Sequence, residues 1–243
     1  MREGLDQAEQ QTSDQLRPQL VAHVAVCERV LNTIGLTLDI ALEAISENRV
    51  SQVSISRRVA MNLMVRLSND IRCVWLLTAQ GYALQAASLV SSIYEIAHCI
   101  AFIGADDARA QAWVDHADPA RPFQPAWNLT NSVVRSLDDV KDPEGFVNRA
   151  YRMYSNLCQA KHANPLLQKQ FGHYATDEFV VVMSGPEASD QAIALAKSSL
   201  KSASQLALIG LASFFDSHAP EARSRLDTRV QAIRSEIDSL GNA

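Results

Sequence analysis

The sequence predicts a mainly α-helical protein, and three observations support that prediction. Apolar residues recur at intervals of three and four residues over most of the chain, which is the period of an amphipathic helix. Hydrophobic residues make up 47% of the 243 residues, enough for a substantial core. Strand-like sequence is confined to one short segment near residues 173–184. The simplest architecture is therefore one helical bundle with a small β-hairpin in that segment.

The N-terminal region divides into a polar tail and a long helix. Residues 1–13 carry no apolar run that could form the core of a secretory signal, and we expect them to be a disordered tail. From about residue 13 to residue 47 the apolar residues follow the helical period. Pro18 falls near the first turn of this helix, where a missing N–H group has little effect. We expect residues 14–243 to form a single helical-bundle domain.

The next two helices are expected to form an antiparallel hairpin, because the connection between them is short. The first spans about residues 54–80, and the sequence Gln-Gly-Tyr at 80–82 ends it. The second continues to about Gly104 and is long and apolar enough to span a bilayer. Glu95, His98 and several serines interrupt its apolar character. We interpret it as a buried core helix.

The remaining sequence predicts shorter helices, the hairpin, and two C-terminal helices. A short helix is expected within residues 104–122, a helical segment around residues 127–137, and a further helix at about residues 146–163. The sequence Ser-Gly-Pro at 184–186 closes the strand-like run. Two helices that divide at residues 218–222 complete the chain.

Composition and charge argue against several classes of function. With 22 Lys and Arg against 27 Asp and Glu, the net charge of -5 offers no global attraction for nucleic acid or an anionic membrane. The four cysteines and six histidines show no metal-ligand spacing, so we predict neither metal nor cofactor. There is no nucleophile elbow and no glycine-rich phosphate loop. Free cysteines in apolar helices favour a cytoplasmic protein that does not bind a membrane.

One predicted helix concentrates reactive side chains. Tyr151, Ser155, Cys158 and His162 follow one another at spacings of four, three and four residues. Three of them, all but the cysteine, lie along one border between the apolar and polar arcs of the helix. A histidine at such a border reaches both protein and solvent, which suits a general base beside a hydroxyl group. An ordinary helix edge explains the pattern equally, because Lys161 and His162 in the last turn complement the helix dipole.

A second polar group is expected inside the bundle. Arg66 and Glu95 lie at nearly the same distance from the turn at Gly81, one on each helix of the hairpin. Because its neighbours are apolar, the Glu95 carboxylate needs a partner, and an ion pair with Arg66, shared with Asp70, would satisfy it. Such a pair would either fix the register of the two helices or line a polar pocket.

Two segments resemble a known group of proteins. The sequences GYALQAASLVSSIYEIAHCIAFIG, at 81–104, and YRMYSNLCQAKHANP, at 151–165, look like those of an uncharacterised bacterial helical family that is remotely similar to the HEPN superfamily. The resemblance covers about residues 54–215. It implies a HEPN-like helical bundle, a homodimer, and a role in bacterial stress or phage defence with RNA or a protein as the partner.

The same resemblance implies roles for individual residues. HEPN ribonucleases cleave RNA without metal, and here His162 would be the acid-base residue, supported by Ser155 and Glu95. The arginines of the family do not carry over, but we expect binding residues at Arg152, Lys161, Asn156, Tyr151 and Arg66, with Arg152 or Lys161 contacting phosphate. The HEPN arginine four to six residues before the histidine is missing, since Asn156 stands six residues before His162. RNA cleavage and RNA binding both stay open, and the alternative is a non-catalytic helical interaction or small-ligand-binding protein.

Overall fold

The mainly α-helical prediction is confirmed by a computed structural model that describes residues 2–47, 53–135, 140–162 and 185–241. These residues contain eight α-helices and no strand. The helices are α1 (Arg2–Glu47), α2 (Ile55–Ala79), α3 (Ala83–Ile103), α4 (Asp107–Val114), α5 (Ala126–Arg135), α6 (Pro143–Lys161), α7 (Asp190–His218) and α8 (Pro220–Ser239). The β-hairpin expected at residues 173–184 lies outside the described residues.

The α2–α3 hairpin follows the prediction closely. Ser54 caps α2 by accepting a hydrogen bond from the backbone N–H of Arg57 at 3.1 Å. Gly81 makes the turn with a φ of 90°, a conformation that glycine adopts without strain. Eleven residues on either side of Gly81, the Ser92 hydroxyl donates to Asp70 Oδ2 at 2.9 Å, so the two helices run antiparallel.

The core is built around α3, which packs against α2, α5, α6 and α7. Ile93, Tyr94 and Ile100 of this helix are fully buried. Gly210 of α7 permits close approach, because a Cβ at this position would lie 3.0 Å from a Leu67 methyl group. On the other side, α1 packs against α2, α7 and α8. The buried apolar residues of α1, α2, α3, α7 and α8 form one continuous core.

Among the described helices, two are long and apolar enough to cross a bilayer by length and composition alone. They are α3 and the segment Gly4–Ser46 of α1. The apolar stretch of α3 is 67% buried by the surrounding helices. A core helix of this kind passes the same test as a spanning helix, so its sequence character agrees with the expected role in the core.

The N-terminal segment differs from the expected disordered tail, because α1 begins at Arg2. Pro18 consequently lies inside the helix rather than in its first turn. The segment contacts the α2–α3 turn, where the Tyr82 hydroxyl donates to Glu9 Oε1 at 2.6 Å and Thr12 packs beside Gly81. These contacts join positions far apart in sequence, so local composition could not predict them.

Candidate functional site

A row of aromatic rings connects α5, α6 and α3, from the surface to the interior. This aromatic ladder consists of Trp127, Tyr151, Tyr154, Tyr94 and His98, in that order. Its successive ring centroids are 5.2, 5.9, 5.0 and 3.9 Å apart. The first ring is 37% exposed and the last is buried. Aromatic contacts at these distances stabilise packing beyond the burial of area, so the ladder fixes α6 against α3.

The buried end of the ladder is a neutral hydrogen-bonded group. The Thr130 hydroxyl donates to the carbonyl oxygen of Ala126 at 2.8 Å, so the Tyr94 hydroxyl donates to Thr130 Oγ1 at 2.6 Å. His98 Nδ1 lies 2.9 Å from the Tyr94 carbonyl oxygen, which only accepts, and therefore carries the proton. Burial lowers the pKa of His98 and raises the pKa of Tyr94. Both side chains are therefore uncharged at neutral pH.

Glu95 is bound by two side chains of α6. The Tyr154 hydroxyl donates to Glu95 Oε1 at 2.7 Å, and Lys161 Nζ lies 3.7 Å from the same oxygen. Burial, with added effects of hydrogen bonds to Cys158 and Glu95, raises the pKa of Tyr154. Tyr154 therefore stays protonated and serves as a donor to the carboxylate.

The expected ion pair between Arg66 and Glu95 is not formed. Arg66 is exposed on α2, whereas the polar contacts of Glu95 within the described ranges go to α6. Asp70 accepts from Ser92 instead of sharing Arg66. The hydrogen bond between Ser92 and Asp70 agrees with the antiparallel register expected around Gly81, but the face of α3 that carries Glu95 turns towards α6.

Ser155 and His162 do not assemble with Glu95 in the part of the chain that the structure describes. Both are exposed on α6, and His162 ends the helix, with its backbone N–H donating to the Cys158 carbonyl oxygen at 3.0 Å. Arg152 and Asn156 are also exposed on α6. Tyr151 is half-buried in the aromatic ladder. α6 thus presents a polar outer face, while its inner face holds Glu95 through Tyr154.

A groove lined by polar side chains of α4 and α5 was not predicted from the sequence. It has a volume of about 460 Å³ and lies between α3, α4 and α5. Its lining residues are Ala101, Arg109, Asn128, Asn131, Ser132 and Arg135. Asn128, Asn131 and Arg135 are spaced three and four residues apart, which places them on one face of α5. This spacing is the sequence pattern from which a polar face of α5 could have been predicted.

No group of three or more His, Cys, Asp or Glu residues within the described ranges could hold a metal ion. No protein-family model matches the chain, and neither a curated protein nor a solved structure matches it. The similarity to HEPN proteins stays a prediction.

Proposed function

We propose that the chain binds single-stranded RNA on the outer face of α5 and α6 and does not cut it. This α5–α6 surface consists of Trp127, Asn128, Asn131, Arg135, Arg152, Ser155, Asn156 and His162. The observation that carries the proposal is the common exposure of Arg152, Ser155 and His162 beside a partly exposed tryptophan. Cationic and amide side chains bind phosphate and base edges, and aromatic rings stack on bases.

The α6 part of the surface has the form of a stripe. At 100° per residue, Arg152, Ser155 and His162 fall within an arc of about 80°. Arg152 and His162 are ten positions apart, so the stripe extends about 15 Å along the helix. A stripe of this length follows an extended strand better than it encloses a small molecule.

Trp127 supplies a firm platform for stacking. Its indole ring is 37% exposed, and the edge contact with Tyr151 at 5.2 Å holds its orientation. Stacking of one base on such a ring contributes about 1–3 kcal/mol and tolerates any base. The surface is therefore expected to bind RNA with little sequence preference.

The surface and its surroundings carry several cations, although the net charge of the chain is -5. Arg135 lies in the last turn of α5, Arg152 is exposed on α6, and Lys161 is 45% exposed beside Glu95. These cations would neutralise only a few phosphates, so the affinity should be modest and should fall with salt.

Binding without cleavage is favoured because the catalytic group that the resemblance implies is incomplete. The Glu95 carboxylate is engaged by Tyr154 and Lys161 and does not orient His162. The arginine of the HEPN motif is replaced by Asn156. Both facts agree with a HEPN-like bundle that binds RNA without cutting it and acts in bacterial stress or phage defence.

The proposal is tested by fluorescence anisotropy with a labelled single-stranded RNA of about 20 nucleotides, in EDTA and low salt. Trp127→Ala should weaken binding by about 1–3 kcal/mol, roughly five-fold or more. Arg152→Ala should weaken it and reduce the slope of log affinity against log salt by about one. The matched control is Arg234→Ala, which removes an exposed arginine of α8. Equal affinity for wild type and both surface variants would refute the proposal.

The alternative is a non-catalytic helical protein that binds another protein. One observation favours it, namely an apolar groove of about 480 Å³ between α1 and α2. RNA binding by the wild type that does not respond to changes on α5 and α6, or no RNA binding at all, would favour this alternative.

A further inference from the structure

The groove between α1 and α2 exposes large apolar side chains to solvent. Val21 is 60% exposed and Leu76 is 49% exposed, and Val24 and Trp75 lie half-buried beside them. The full lining is Ser13, Arg17, Leu20, Val21, Val24, Ala25, Glu28, Trp75, Leu76 and Ala79. A continuous apolar patch with a polar rim is typical of a protein interaction site.

The α1 side of the groove has the spacing of a coiled-coil seam. Arg17, Val21, Val24 and Glu28 follow one another at intervals of four, three and four residues. Positions with this spacing stay on one side of a helix and pack into a facing helix. Val21 and Val24 therefore occupy the centre of the seam, with the positive charge of Arg17 at one end and the negative charge of Glu28 at the other.

We propose that this groove binds a second copy of the same chain, with the two α1 helices antiparallel about a two-fold axis. In that arrangement Val21 packs against Val24 of the second copy. Arg17 meets Glu28 of the second copy, and the symmetry forms this ion pair twice. A two-fold interface must be complementary to itself, and this order of charges along one helix satisfies that condition.

The charges at the ends of the groove are available for such contacts. Arg17 and Glu28 are both exposed, and neither forms an ion pair with another described residue. An unrelated partner would not require opposite charges placed symmetrically about two valines. This charge pattern is the reason to favour a second copy as the occupant.

The seam predicts a weak dimer. From Arg17 to Glu28 it extends about 17 Å, which is short for a stable interface burying about 800 Å² on each partner. We therefore expect a dissociation constant in the micromolar range. The two copies meet through α1 and α2, whereas α6 packs on α3 and α5, so each copy keeps its α5–α6 surface open.

The dimer is tested by sedimentation equilibrium of the full chain over about 1–200 µM. The wild type should shift from 26.7 kDa towards twice that mass as its concentration rises. Val21→Glu should keep the monomer mass over the whole range, because two carboxylates, one from each copy, would replace two valines within the paired seam. The matched control is Val114→Glu, at a site on α4 that is 53% exposed, which should dimerise as the wild type does. Circular dichroism melting checks that both variants fold.

A charge exchange makes the test specific to the proposed register. Arg17→Glu alone and Glu28→Arg alone should each weaken dimerisation at least ten-fold, since like charges then face each other. The double variant Arg17→Glu with Glu28→Arg should restore it. A wild type that stays monomeric at 200 µM, or a Val21→Glu variant that dimerises normally, would overturn the proposal. RNA binding by a monomeric chain would leave the α5–α6 proposal intact, so the two failures are distinguishable.

Discussion

Glu95 shows how one side chain changes the interpretation of the whole site. Its carboxylate is 35% exposed and accepts from the Tyr154 hydroxyl at 2.7 Å. A carboxylate held in this way positions α6 against α3. It therefore acts as a structural acceptor, and the exposed residues of α6 are left to bind whatever approaches from solvent.

Replacing Tyr154 by Phe removes this hydrogen bond and keeps the aromatic ladder. We expect the free energy of unfolding to fall by about 1 kcal/mol, the usual net contribution of such a bond, because the half-exposed carboxylate can bind water instead. Urea denaturation measures the change. Tyr151→Phe is the matched control and should alter stability by less than half as much. Equal effects of the two variants would contradict the assigned role of Glu95.

Residue positions along the helices were predictable from the sequence, but the faces were not. The count from Gly81 predicted an antiparallel register, and the hydrogen bond between Ser92 and Asp70 agrees with it. Which neighbour a face meets depends on the rotation and packing of all the helices around α3. The contact of Tyr154 with Glu95 was not predictable, since no local pattern links the two residues, which are 59 positions apart.

The turn at Gly81 holds three elements together at one point. Its carbonyl oxygen accepts from the backbone N–H of Glu187 at 3.0 Å, ahead of α7. A Cβ at this position would lie 2.5 Å from Thr12 Cγ2 of α1 and 2.8 Å from the Glu187 nitrogen. Glycine is therefore required both by the φ of 90° and by the space available.

Gly81→Ala should destabilise the protein by about 1–3 kcal/mol, because a side chain at positive φ adds strain to the steric clash. The matched control is Gly35→Ala in α1, where nothing lies within 4 Å of the added methyl group. That control should stabilise the helix by about 0.5–1 kcal/mol. Thermal unfolding of both variants measures the difference. Similar melting temperatures for the two variants would show that the turn is not constrained as described.

At the level of elements, periodicity predicted α2 and α3 almost to the residue. It failed at the start of α1, because residues 2–13 are polar and their helix is supported by contacts with the α2–α3 turn. Polar composition indicates exposure, and a long exposed helix has the same composition as a tail. The groove beside α5 was missed for a related reason, since it requires three helices to be placed relative to one another.

Within the part of the chain that the structure describes, three histidines are buried, one each on α1, α3 and α7. They are His23, His98 and His218. Burial is the largest cause that lowers the pKa of each, and Lys197 and Lys201 add to it for His23. Below about pH 6.5 the unfolded chain consequently binds more protons than the folded chain.

Stability should therefore fall as the pH is lowered from 7 towards 5. Each buried histidine contributes a slope of at most about 1.4 kcal/mol per pH unit within that window. Urea denaturation at several pH values measures the slope, and His98→Asn should reduce it by up to one such contribution. Asn62→Ala, at an exposed and uncharged site of α2, is the control and should leave the slope unchanged, because it removes no titratable group. A stability that is constant between pH 7 and 5 would contradict the neutral state of these side chains.

The bundle as a whole was predictable because its core repeats a single local rule, apolar residues at helical spacing, through every long helix. Function was harder to predict from the sequence, because His162 and Ser155 have the same spacing whether they line a catalytic pocket or a solvated face. Only the position of Glu95 between Tyr154 and Lys161 separates these two interpretations.

The most direct test of the central claim is one titration of labelled single-stranded RNA with wild-type protein in EDTA, followed by a denaturing gel of the same samples. Binding without cleavage predicts a rise in anisotropy that saturates in the micromolar range, with the RNA intact on the gel. Fragments that appear with the wild type and disappear with His162→Ala would contradict the account, since they would make the outer face of α6 a catalytic centre.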